Sequence, residues 1–386
     1  MKVLILSCNT GGGHNTAAKS IKEVFDLQGD ECEVKDALSF GGQFASDLVC
    51  DSYIEMVKKT PKLFGEIYKM GSKLGQINNT VSDKLRSPVY LVNKVYADAL
   101  EDYIIQNNFD AVICVHIFPA EAMTHLKRRH DLKQKFYFVA TDYYICPMLE
   151  ETTPDVIFSA HPDSLFTYLE HGIPESKIVP AGIPVSQSVV NSSGSSKAEA
   201  RKQLGFADDD EAYLLMSGSM GFGDTIDIAK YIFEHGNSHT RVVAITGNNE
   251  EMYKEFEREF AGEERLVLLG FTKEVPLYMS ACDLLLTKPG GLSSTEALVK
   301  GIPIIHTSPI PGCESENVQF FTEHHLSLCA NTPADAGRLA VTLMHDDFLR
   351  NQIIEAQKKY RCENSAKQIV DYIKTCHSEL DSESLD

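Results

Sequence analysis

The sequence lacks several features that define large classes of proteins. No apolar run approaches the roughly 20 residues that a membrane-spanning helix requires, so we expect no transmembrane segment. The opening MKVLILSCNT turns polar too soon for a secretory signal peptide, and we expect none. The ten cysteines include no C-x-x-C pair, which argues against a zinc site or a disulfide framework. Scattered cysteines in apolar runs are typical of core residues in a reducing cytosol.

Positive charge is scarce and unevenly placed. The 386-residue chain carries 36 basic and 55 acidic residues, giving a net charge of −19. This balance argues against a general nucleic-acid-binding role. Residues 58–94 are the exception, with eight basic and two acidic side chains. Apolar residues recur there at helical spacing, so the segment is either a helix that docks on an anionic membrane or an amphipathic helix packed on its own domain. The candidate membrane-docking residues are Lys59, Lys62, Phe64, Lys69, Lys73 and Arg86.

A strand, a glycine-rich turn and a helix open the chain. Residues 2–7 form an apolar run typical of a buried strand, and a helix is predicted over 15–27. The turn between them contains neither G-x-G-x-x-G nor G-K-[ST], so it is neither a dinucleotide fingerprint nor a P-loop. His14 stands beside the helix N-terminus, where the helix dipole disfavours the imidazolium form and favours a neutral, basic imidazole. The alternative is a histidine that simply packs in the turn.

Strands and helices alternate through both halves of the sequence. In the first half, strands predicted over 110–115, 136–140 and 156–159 each end in polar residues, where open α/β sheets bind ligands. After the linker NSSGSS at 191–196, the same alternation resumes. We therefore predict an α/β protein with an N-terminal domain over 1–188, a C-terminal domain over 197–360, and a C-terminal helix and acidic tail over 361–386 that could pack back on the first domain.

The stretch TKPGGLSSTE, residues 287–296, carries the densest binding signal of the second half. It joins a buried strand, 283–286, to a helix. Glycines at 290–291 permit close backbone approach and positive φ, and the hydroxyl residues at 293–295 are candidate helix caps. Such a helix start attracts anions. Glu296 in the first turn could accept two hydrogen bonds from a ribose diol; the alternative is an ordinary capped helix in which this carboxylate only favours the dipole.

Seven motifs, in order, resemble the family that makes glycosyl-diacylglycerols. They are GGGH at 11–14, HIFPAEA at 116–122, ATDY at 140–143, AGIPV at 181–185, SGSMGFGD at 217–224, TKPGGLSSTEAL at 287–298 and PGCESEN at 311–317. Each motif is weak alone, but the ordered set spans nearly the whole chain. It is similar to the monogalactosyldiacylglycerol synthases and the processive diacylglycerol beta-glucosyltransferases, a glycosyltransferase family 28-like group. The chain resembles, more remotely, the N-acetylglucosaminyltransferase that makes lipid II.

This resemblance implies a GT-B fold, with two Rossmann-like doubly wound domains facing a cleft. It implies a UDP-hexose donor held by the C-terminal domain, and a diacylglycerol or glycolipid acceptor taken from an anionic membrane surface by the N-terminal domain. The reaction inverts the anomeric centre and gives a beta-glycolipid. The enzyme would be cytoplasmic and peripheral on the inner face of the cell membrane, and it would need neither metal nor other cofactor.

The resemblance also implies residue roles. His14 is expected to be the base, and Asp142 or a neighbouring acidic group to orient or replace it. Acceptor contacts are expected from Gly12, Gly13, His116 and Tyr143. Donor contacts are expected from Gly218, Ser219, Gly247, Phe271, Thr272, Gly290, Gly291, Leu292, Ser293, Ser294, Glu296, Glu314 and Asn317. Among these, the carboxylate at 296 would hold the ribose, and the side chains at 314 and 317 would face the sugar hydroxyls.

Departures from the family pattern leave the substrates open. The family often has P-G-Q-E where residues 311–314 read PGCE, and a histidine after TDY where residues 144–146 read YIC. The first difference leaves glucose or galactose undecided, and the second leaves the acceptor undecided. The alternatives are a lipid-II-type transferase, a UDP-N-acetylglucosamine 2-epimerase, or a non-catalytic nucleotide-sugar sensor on the same fold.

Overall fold

The computed structural model describes residues 1–9, 12–42, 87–129, 132–192, 196–218, 225–309 and 312–383. The strands within these ranges are β1 Lys2–Ser7, β2 Glu31–Asp36, β3 Ala111–Cys114, β4 Lys135–Val139, β5 Val156–Ser159, β6 Ile178–Pro180, β7 Glu211–Met216, β8 Thr240–Ile245, β9 Leu266–Leu269, β10 Leu284–Thr287, β11 Ile304–Thr307 and β12 Ser327–Ala330.

The α-helices within the same ranges are α1 Gly12–Leu27, α2 Pro88–Asn93, α3 Ala97–Gln106, α4 Ile117–Arg129, α5 Leu165–Glu170, α6 Gln187–Ser192, α7 Lys197–Leu204, α8 Thr225–His235, α9 Glu250–Glu259, α10 Val275–Ala281, α11 Gly291–Lys300, α12 Cys313–Glu323, α13 Pro333–Met344, α14 Asp347–Tyr360 and α15 Ser365–Glu383. None of these described helices combines the length and the apolarity needed to cross a bilayer.

The chain divides into two compact units. The N-terminal unit contains residues 1–186, 311–313 and 364–386, and the C-terminal unit contains residues 187–310 and 314–363. The sequence had placed the domain ends at 188 and 360 and treated 361–386 separately. In the structure, α15 belongs to the N-terminal unit, where the Lys374 ammonium lies 2.6 Å from an Asp30 carboxylate oxygen.

Each unit is built on one six-stranded parallel sheet. The strand order is β2-β1-β3-β4-β5-β6 in the N-terminal unit and β12-β11-β10-β7-β8-β9 in the C-terminal unit. The direction in which successive strands are added reverses between β1 and β3, and again between β7 and β10. Doubly wound sheets bind ligands beyond the carboxyl ends of the strands at such a switch point. One ligand site is therefore expected at each switch point.

Apolar residues cover both faces of the N-terminal sheet, as a parallel sheet between two helical layers requires. Val3 and Ile5 of β1 are fully buried in the same cluster as residues of α1 and α15. Leu4 and Leu6, which point to the opposite face, pack in a second cluster with Met123 of α4. The site residues that follow the strands are thus held by a core on both sides of the sheet.

Several boundaries differ from the sequence predictions. The structure begins α1 at Gly12, three residues before the predicted start, so His14 lies within the first helical turn. The strand β12 was not predicted, because its four residues form no long apolar run and two of them are only half-buried. The sequence predicted a helix in the basic segment 58–94, and the described end of that segment, from 88 onward, is helical as α2 and a 3₁₀ turn.

Candidate functional site

His14 lies at the switch point of the N-terminal sheet. Its Nδ1 atom is 2.8 Å from the carbonyl oxygen of Val115, which follows β3, and 3.0 Å from Oγ1 of Thr141, which follows β4. A carbonyl oxygen can only accept, so Nδ1 carries the proton in this contact. In the neutral imidazole the lone pair is therefore on Nε2. The fold thus leaves one nitrogen of a fixed ring available to accept a proton.

The electrostatic surroundings keep His14 neutral at neutral pH. Burial lowers its pKa, while the charge of Asp142 and the hydrogen bond to Val115 raise it, and burial is the larger effect. The neutral form was also the expectation from the sequence, but there the helix dipole was the stated cause. Asp142 supplies the nearby negative charge that raises the pKa of the His14 imidazole.

His116 packs edge-on against His14, with ring centroids 4.6 Å apart. The backbone N–H of Phe118 donates to Nδ1 of His116 over 3.2 Å, so this nitrogen is unprotonated. Burial and the adjacent imidazole lower the pKa of His116 well below its ordinary value. His116 is therefore neutral, and with Tyr143 it is almost fully buried. Both lie at the predicted edge of the sheet, but little of either side chain is accessible to an acceptor.

A polar network holds the turn that carries His14. Ser7 donates to Asn15 over 2.6 Å, the Asn15 amide donates to Asn9 over 2.8 Å, and the Asn9 amide donates to Asp36 over 2.8 Å. These bonds connect the ends of β1 and β2 to the first turn of α1. The sequence analysis identified neither Asn15 as part of this network nor Thr141 as a partner of the imidazole. The hydroxyl residue in the ATDY motif was the signal that could have indicated Thr141.

Glu150 is a second titratable carboxyl group in this part of the fold. Burial, with a smaller effect from the adjacent Glu151, raises its pKa to about 7. Both Asp142 and Glu150 act electrostatically on the Cys146 thiol, so the two carboxyl groups share one neighbourhood. The sequence had expected an acidic group near Asp142 without identifying it. Glu150 and the fully buried Glu121, which also acts on this thiol, are the described candidates for that group.

The C-terminal unit gathers its predicted donor residues beyond β7, β8 and β10. Gly218 follows β7 with φ of 73°, and Gly247 follows β8 with φ of 61°. Other residues rarely adopt this left-handed conformation, which explains the glycines. Gly290 follows β10, and a Cβ atom added to it would meet no atom within 4 Å. Open space therefore exists beside the C-terminal switch point.

The start of α11 differs from the prediction in one respect. Its N-cap is Gly290, at φ −70° and ψ 136°, and no side chain caps the helix. The described glycines at 290–291 thus have no positive φ, and the hydroxyl residues lie inside the helix: Thr295 Oγ1 donates to the Gly291 carbonyl over 2.6 Å. Because the helix begins earlier than expected, its first N–H groups have no side-chain acceptor. An anion can fill that role better than in a capped helix.

Ser294 is directed away from this helix start. It is fully buried, and its hydroxyl lies 3.0 Å from Nε2 of His306, whose Nδ1 lies 3.0 Å from the Ser327 hydroxyl. Burial lowers the pKa of His306 to about 3, so the chain of bonds is uncharged. The Ser294 hydroxyl thus has a structural partner, and the predicted donor contact stays a prediction. Leu292 and Ser293 are half-buried at the open end of the helix.

Glu296 is half-buried in the first turns of α11 and makes no hydrogen bond or ion pair with any described residue. Burial raises the pKa of its carboxyl group to about 7. A desolvated carboxylate without a partner is costly, and such groups are concentrated at functional sites. The geometry therefore agrees with a carboxylate that accepts hydrogen bonds from a ligand.

The two α12 residues predicted to face the sugar behave differently. Asn317 is fully buried, and its amide donates to the carbonyl oxygen of Pro289 over 3.0 Å. It therefore fixes the turn before α11, and its role as a sugar contact stays a prediction. Glu314, one helical turn earlier, is half-buried. On α12, the more accessible Glu314 therefore lies one helical turn away from the enclosed Asn317.

Phe271 and Thr272 follow β9 in a loop beside the β8 loop. An added Cβ at Gly270 would lie 3.7 Å from the Gly247 carbonyl oxygen, which places the two loops next to each other. The Phe271 ring is 66% exposed. Thr272 Oγ1 accepts the Glu274 N–H over 3.0 Å, which shapes the turn. An exposed ring and adjacent backbone groups are suitable for a planar base.

Some predicted residues cannot be placed. Ser219 and the six candidate membrane-docking residues at 59, 62, 64, 69, 73 and 86 lie outside the described residues. Within the described ranges no group of three or more His, Cys, Asp or Glu side chains is arranged to hold a metal ion. The absence of a metal requirement remains a prediction.

Comparisons with known proteins agree with this architecture. Residues 14–185 match the family model described as monogalactosyldiacylglycerol (MGDG) synthase. The processive diacylglycerol beta-glucosyltransferase of Staphylococcus aureus (strain Newman) is 25% identical over 381 residues, covering 96% of this chain and 93% of the relative.

Two solved structures share the fold across nearly the whole chain. Acinetobacter baumannii MurG has a TM-score of 0.62 at 16% identity, covering 97% of this chain and 99% of the other. The UDP-GlcNAc 2-epimerase of Neisseria meningitidis bound to UDP-GlcNAc has a TM-score of 0.61 at 14% identity, covering 97% and 100%. At these identities the likeness shows the fold alone.

Two parallel six-stranded sheets in two units, with these structural neighbours, define a GT-B fold. The comparisons support a glycosyltransferase family 28-like relationship: residues 14–185 are similar to the MGDG synthases, and nearly the whole chain is similar to a processive diacylglycerol beta-glucosyltransferase. The chain is accordingly an enzyme of the transferase class.

Proposed function

We propose that this enzyme moves a hexose from a UDP-sugar to diacylglycerol, or to a glycosyl-diacylglycerol, and makes a beta-glycolipid at the membrane surface. The observation that carries the proposal is the tautomer of His14. Its protonated Nδ1 is held by the Val115 carbonyl, so Nε2 is the basic atom. A neutral imidazole fixed at a switch point is the group that an acceptor hydroxyl needs as its base.

The reaction is a single in-line displacement. Nε2 of His14 takes the proton of the acceptor hydroxyl while its oxygen attacks the anomeric carbon, and the bond from that carbon to the diphosphate oxygen breaks. UDP leaves with the electron pair of that bond, and an α-linked donor gives a β-glycoside. The charge of Asp142 favours the imidazolium that forms, because it already raises the pKa of this imidazole.

The departing diphosphate needs positive potential but no metal in this proposal. The uncapped start of α11 offers backbone N–H groups and the positive end of the helix dipole. Glu296 holds the ribose diol, and the loop of Phe271 holds the base. A UDP donor is supported by the epimerase neighbour, which is bound to UDP-GlcNAc, and a diacylglycerol acceptor by the name of the staphylococcal relative.

A membrane surface is the proposed place of reaction. The acceptor is apolar, and residues 58–94 are strongly basic within an acidic chain. The described end of that segment exposes Leu91 and Val95, one helical turn apart, with Lys94 beside them. Exposed apolar side chains next to basic ones suit binding to an anionic bilayer. The protein would thus be peripheral on the cytoplasmic face of the membrane.

A 2-epimerase or a lipid-II-type transferase remains the alternative activity on the same fold, because solved structures of both kinds resemble this chain. The long basic segment favours a lipid substrate over the soluble epimerase reaction. A non-catalytic sensor is disfavoured by the neutral imidazole of His14, since a binding module needs no base.

The test is mass spectrometry of the products. Purified protein is incubated with vesicles of diacylglycerol and anionic lipid, and with UDP-glucose, UDP-galactose or UDP-N-acetylglucosamine in separate reactions. We expect hexosyl-diacylglycerol with one of the two hexose donors, and a ladder of longer products if the enzyme is processive. The His14→Ala protein should lose at least about 10²-fold in kcat, the usual contribution of a general base. His345→Ala, which changes an exposed histidine of α13's C-cap, is the matched control.

Different failures have different meanings. UDP release without formation of a glycolipid would support the proposed donor and reject the proposed acceptor. Formation of UDP-N-acetylmannosamine from UDP-N-acetylglucosamine would replace the transferase with the epimerase. Full activity of the folded His14→Ala protein would reject His14 as the base.

A further inference from the structure

A cavity lies at the edge of the C-terminal sheet opposite to the candidate donor site. Its volume is about 310 Å³, and Asp283, Pro303, Lys300 and Arg350 are among the residues that line it. Asp283 directly precedes β10 and Pro303 directly precedes β11, so the cavity is at the amino ends of these strands. The candidate donor residues all follow the carboxyl ends. The volume is at the lower end of the range of small-molecule sites.

The most unusual group in the cavity is the Lys300 ammonium. It donates to the carbonyl oxygen of Ser192 over 2.6 Å and to the Ser192 hydroxyl over 3.0 Å. No described carboxylate forms an ion pair with it, and burial lowers its pKa to about 8. It therefore remains mainly charged at neutral pH. A half-buried cation that has only neutral partners destabilises the fold unless an anion joins it.

The other charges of the cavity do not neutralise Lys300. The Asp283 carboxylate pairs with Lys197 and, over 2.9 Å, with Arg201. Arg350 donates to the Leu343 carbonyl oxygen over 3.0 Å and pairs with an exposed carboxylate, that of Asp347. The lining therefore contains three cationic side chains and one carboxylate, although the whole chain carries a net charge of −19.

We propose that this cavity binds a small phosphomonoester, with Lys300 and Arg350 holding its phosphate group. A phosphomonoester carries a charge of about −1.5 to −2 at neutral pH, and it would neutralise the Lys300 ammonium, which has no carboxylate partner among the described residues. Guanidinium and ammonium groups form strong, charge-assisted hydrogen bonds to phosphate oxygens. Apolar lining residues, including Ile354 and Met279, leave room for a short carbon skeleton beside the phosphate.

The proposed site is distinct from the donor site. Lys300 is the last residue of α11, and the candidate diphosphate-binding groups are at the first turn of the same helix. Ten residues of helix separate the two ends by roughly 15 Å. A nucleotide diphosphate at the first turn and a phosphomonoester at the last turn can therefore be bound together. The inference needs neither the proposed acceptor nor the proposed sugar.

Calorimetric titration of the full chain with glycerol 3-phosphate tests the site, in the presence of saturating UDP. We expect binding of one molecule per chain, and none of glycerol. Lys300→Gln and Arg350→Gln should each weaken the binding at least about tenfold, as expected for the loss of a charged hydrogen bond. Lys202→Gln removes an exposed charge from α7, outside the cavity lining, and should leave the dissociation constant unchanged.

The same titration distinguishes this proposal from the proposed function. UDP titrations of the wild type and of Lys300→Gln report the donor site alone. The phosphomonoester site is rejected if glycerol 3-phosphate does not bind, if UDP displaces it, or if a folded Lys300→Gln protein and a folded Arg350→Gln protein bind it as tightly as the wild type.

A second arm identifies the source of the phosphate. Sedimentation with phosphatidylcholine vesicles is compared with and without phosphatidic acid, which carries the same phosphomonoester group. Phosphatidate-dependent binding that Lys300→Gln removes would identify a lipid headgroup as the ligand. Equal sedimentation of both proteins, together with Lys300-dependent binding of glycerol 3-phosphate, would identify a soluble ester.

Discussion

Glu296 is a residue whose ionised carboxylate is unfavourable in the folded protein when no ligand is bound. Its pKa of about 7 means that burial disfavours the ionised form, and among the described residues no cation or donor offsets this. Two hydroxyl donors from a ribose would stabilise the ionised form. His14 is the complementary case, because burial favours the neutral form that its proposed role requires. Both groups were candidates from sequence, but their protonation states depend on burial, which only the fold defines.

The first prediction concerns the pH dependence of donor binding. The carboxylate of Glu296 accepts both diol hydrogen bonds only when ionised, so it is competent above about pH 7 and loses this ability as the pH falls through that value. Between pH 6 and pH 8 the ionised fraction rises about tenfold. Calorimetry should therefore show UDP binding about tenfold tighter at pH 8. In Glu296→Gln the affinity should be lower and lack this dependence; the same pH dependence in both proteins would contradict the assignment.

The same residue has a measurable effect on stability. The folded protein holds the Glu296 proton at a pH where the unfolded chain has lost it, so unfolding free energy falls as the pH rises from about 4.5 through 7. We expect Glu296→Gln to be more stable than the wild type at pH 8 by about 1–3 kcal/mol, with the difference vanishing near pH 4. Urea unfolding measures this. The matched control is Glu257→Gln on the exposed surface of α9, which should show no such difference.

Whole elements were predictable where the hydrophobic pattern was strong. The bounds of β1 and β5 agree with the sequence interpretation to the residue, since continuous apolar runs with β-branched residues are typical of strands buried on both faces. The short, half-exposed β12 offered no such run. The first turn of α11 was misjudged because a glycine N-cap has no side chain to signal it. Because the helix begins at Gly291, Ser294 lies inside it and not at its cap. Side chains on a helix are about 100° apart per residue, and that of Ser294 points to His306 and not to the helix start.

The third prediction concerns the contact between α12 and the turn that precedes α11. Asn317 is the buried residue that binds the Pro289 carbonyl oxygen. Replacing it by alanine leaves that acceptor without this donor and lets the turn move, so we expect a loss of about 1–3 kcal/mol in unfolding free energy. Because the turn positions the helix start, the Michaelis constant for the donor should rise more than kcat falls. Thermal unfolding and initial rates measure the two effects.

The control for Asn317→Ala is Gln319→Ala on the same helix. The Gln319 amide is exposed, and its partner among the described residues is Glu323, one turn away. Its loss should change both quantities little. An Asn317→Ala protein with unchanged stability and donor constants would show that the turn is held by its other contacts.

At the scale of the molecule, the ordered motifs were sufficient to predict two doubly wound units of a GT-B fold, because each motif follows a strand at the carboxyl edge of its sheet. The membership of α15 in the N-terminal unit was less certain from sequence, since an amphipathic helix does not reveal its partner. The distribution of charge was evident from composition alone. A chain of net charge −19 is repelled by an anionic bilayer, so any docking must rely on a local surface that reverses this.

The last prediction tests that surface with described residues. Leu91, Val92 and Val95 are exposed on α2 and the following turn, next to Lys94. We expect the double variant Val92→Asp with Val95→Asp to lose vesicle binding at least about tenfold, because two carboxylates replace apolar contacts and oppose the lipid charge. Binding of the wild type should weaken as salt rises from 50 to 500 mM, as for any attraction between exposed charges. Sedimentation with vesicles containing phosphatidylglycerol measures both effects.

The matched control is Leu27→Asp at the end of α1. Its side chain is 77% exposed, close to the 78% of Val95, but it lies outside the basic segment. If exposure of an apolar residue were sufficient for membrane contact, both substitutions would weaken sedimentation equally, and the docking surface would be rejected. A selective loss in the Val92 and Val95 variant, with UDP affinity unchanged, would separate membrane docking from the folding of the catalytic units. In that case the basic segment attracts the protein to the anionic membrane, and the apolar residues at its edge insert into the bilayer. This would explain how so acidic a protein can reach a lipid acceptor.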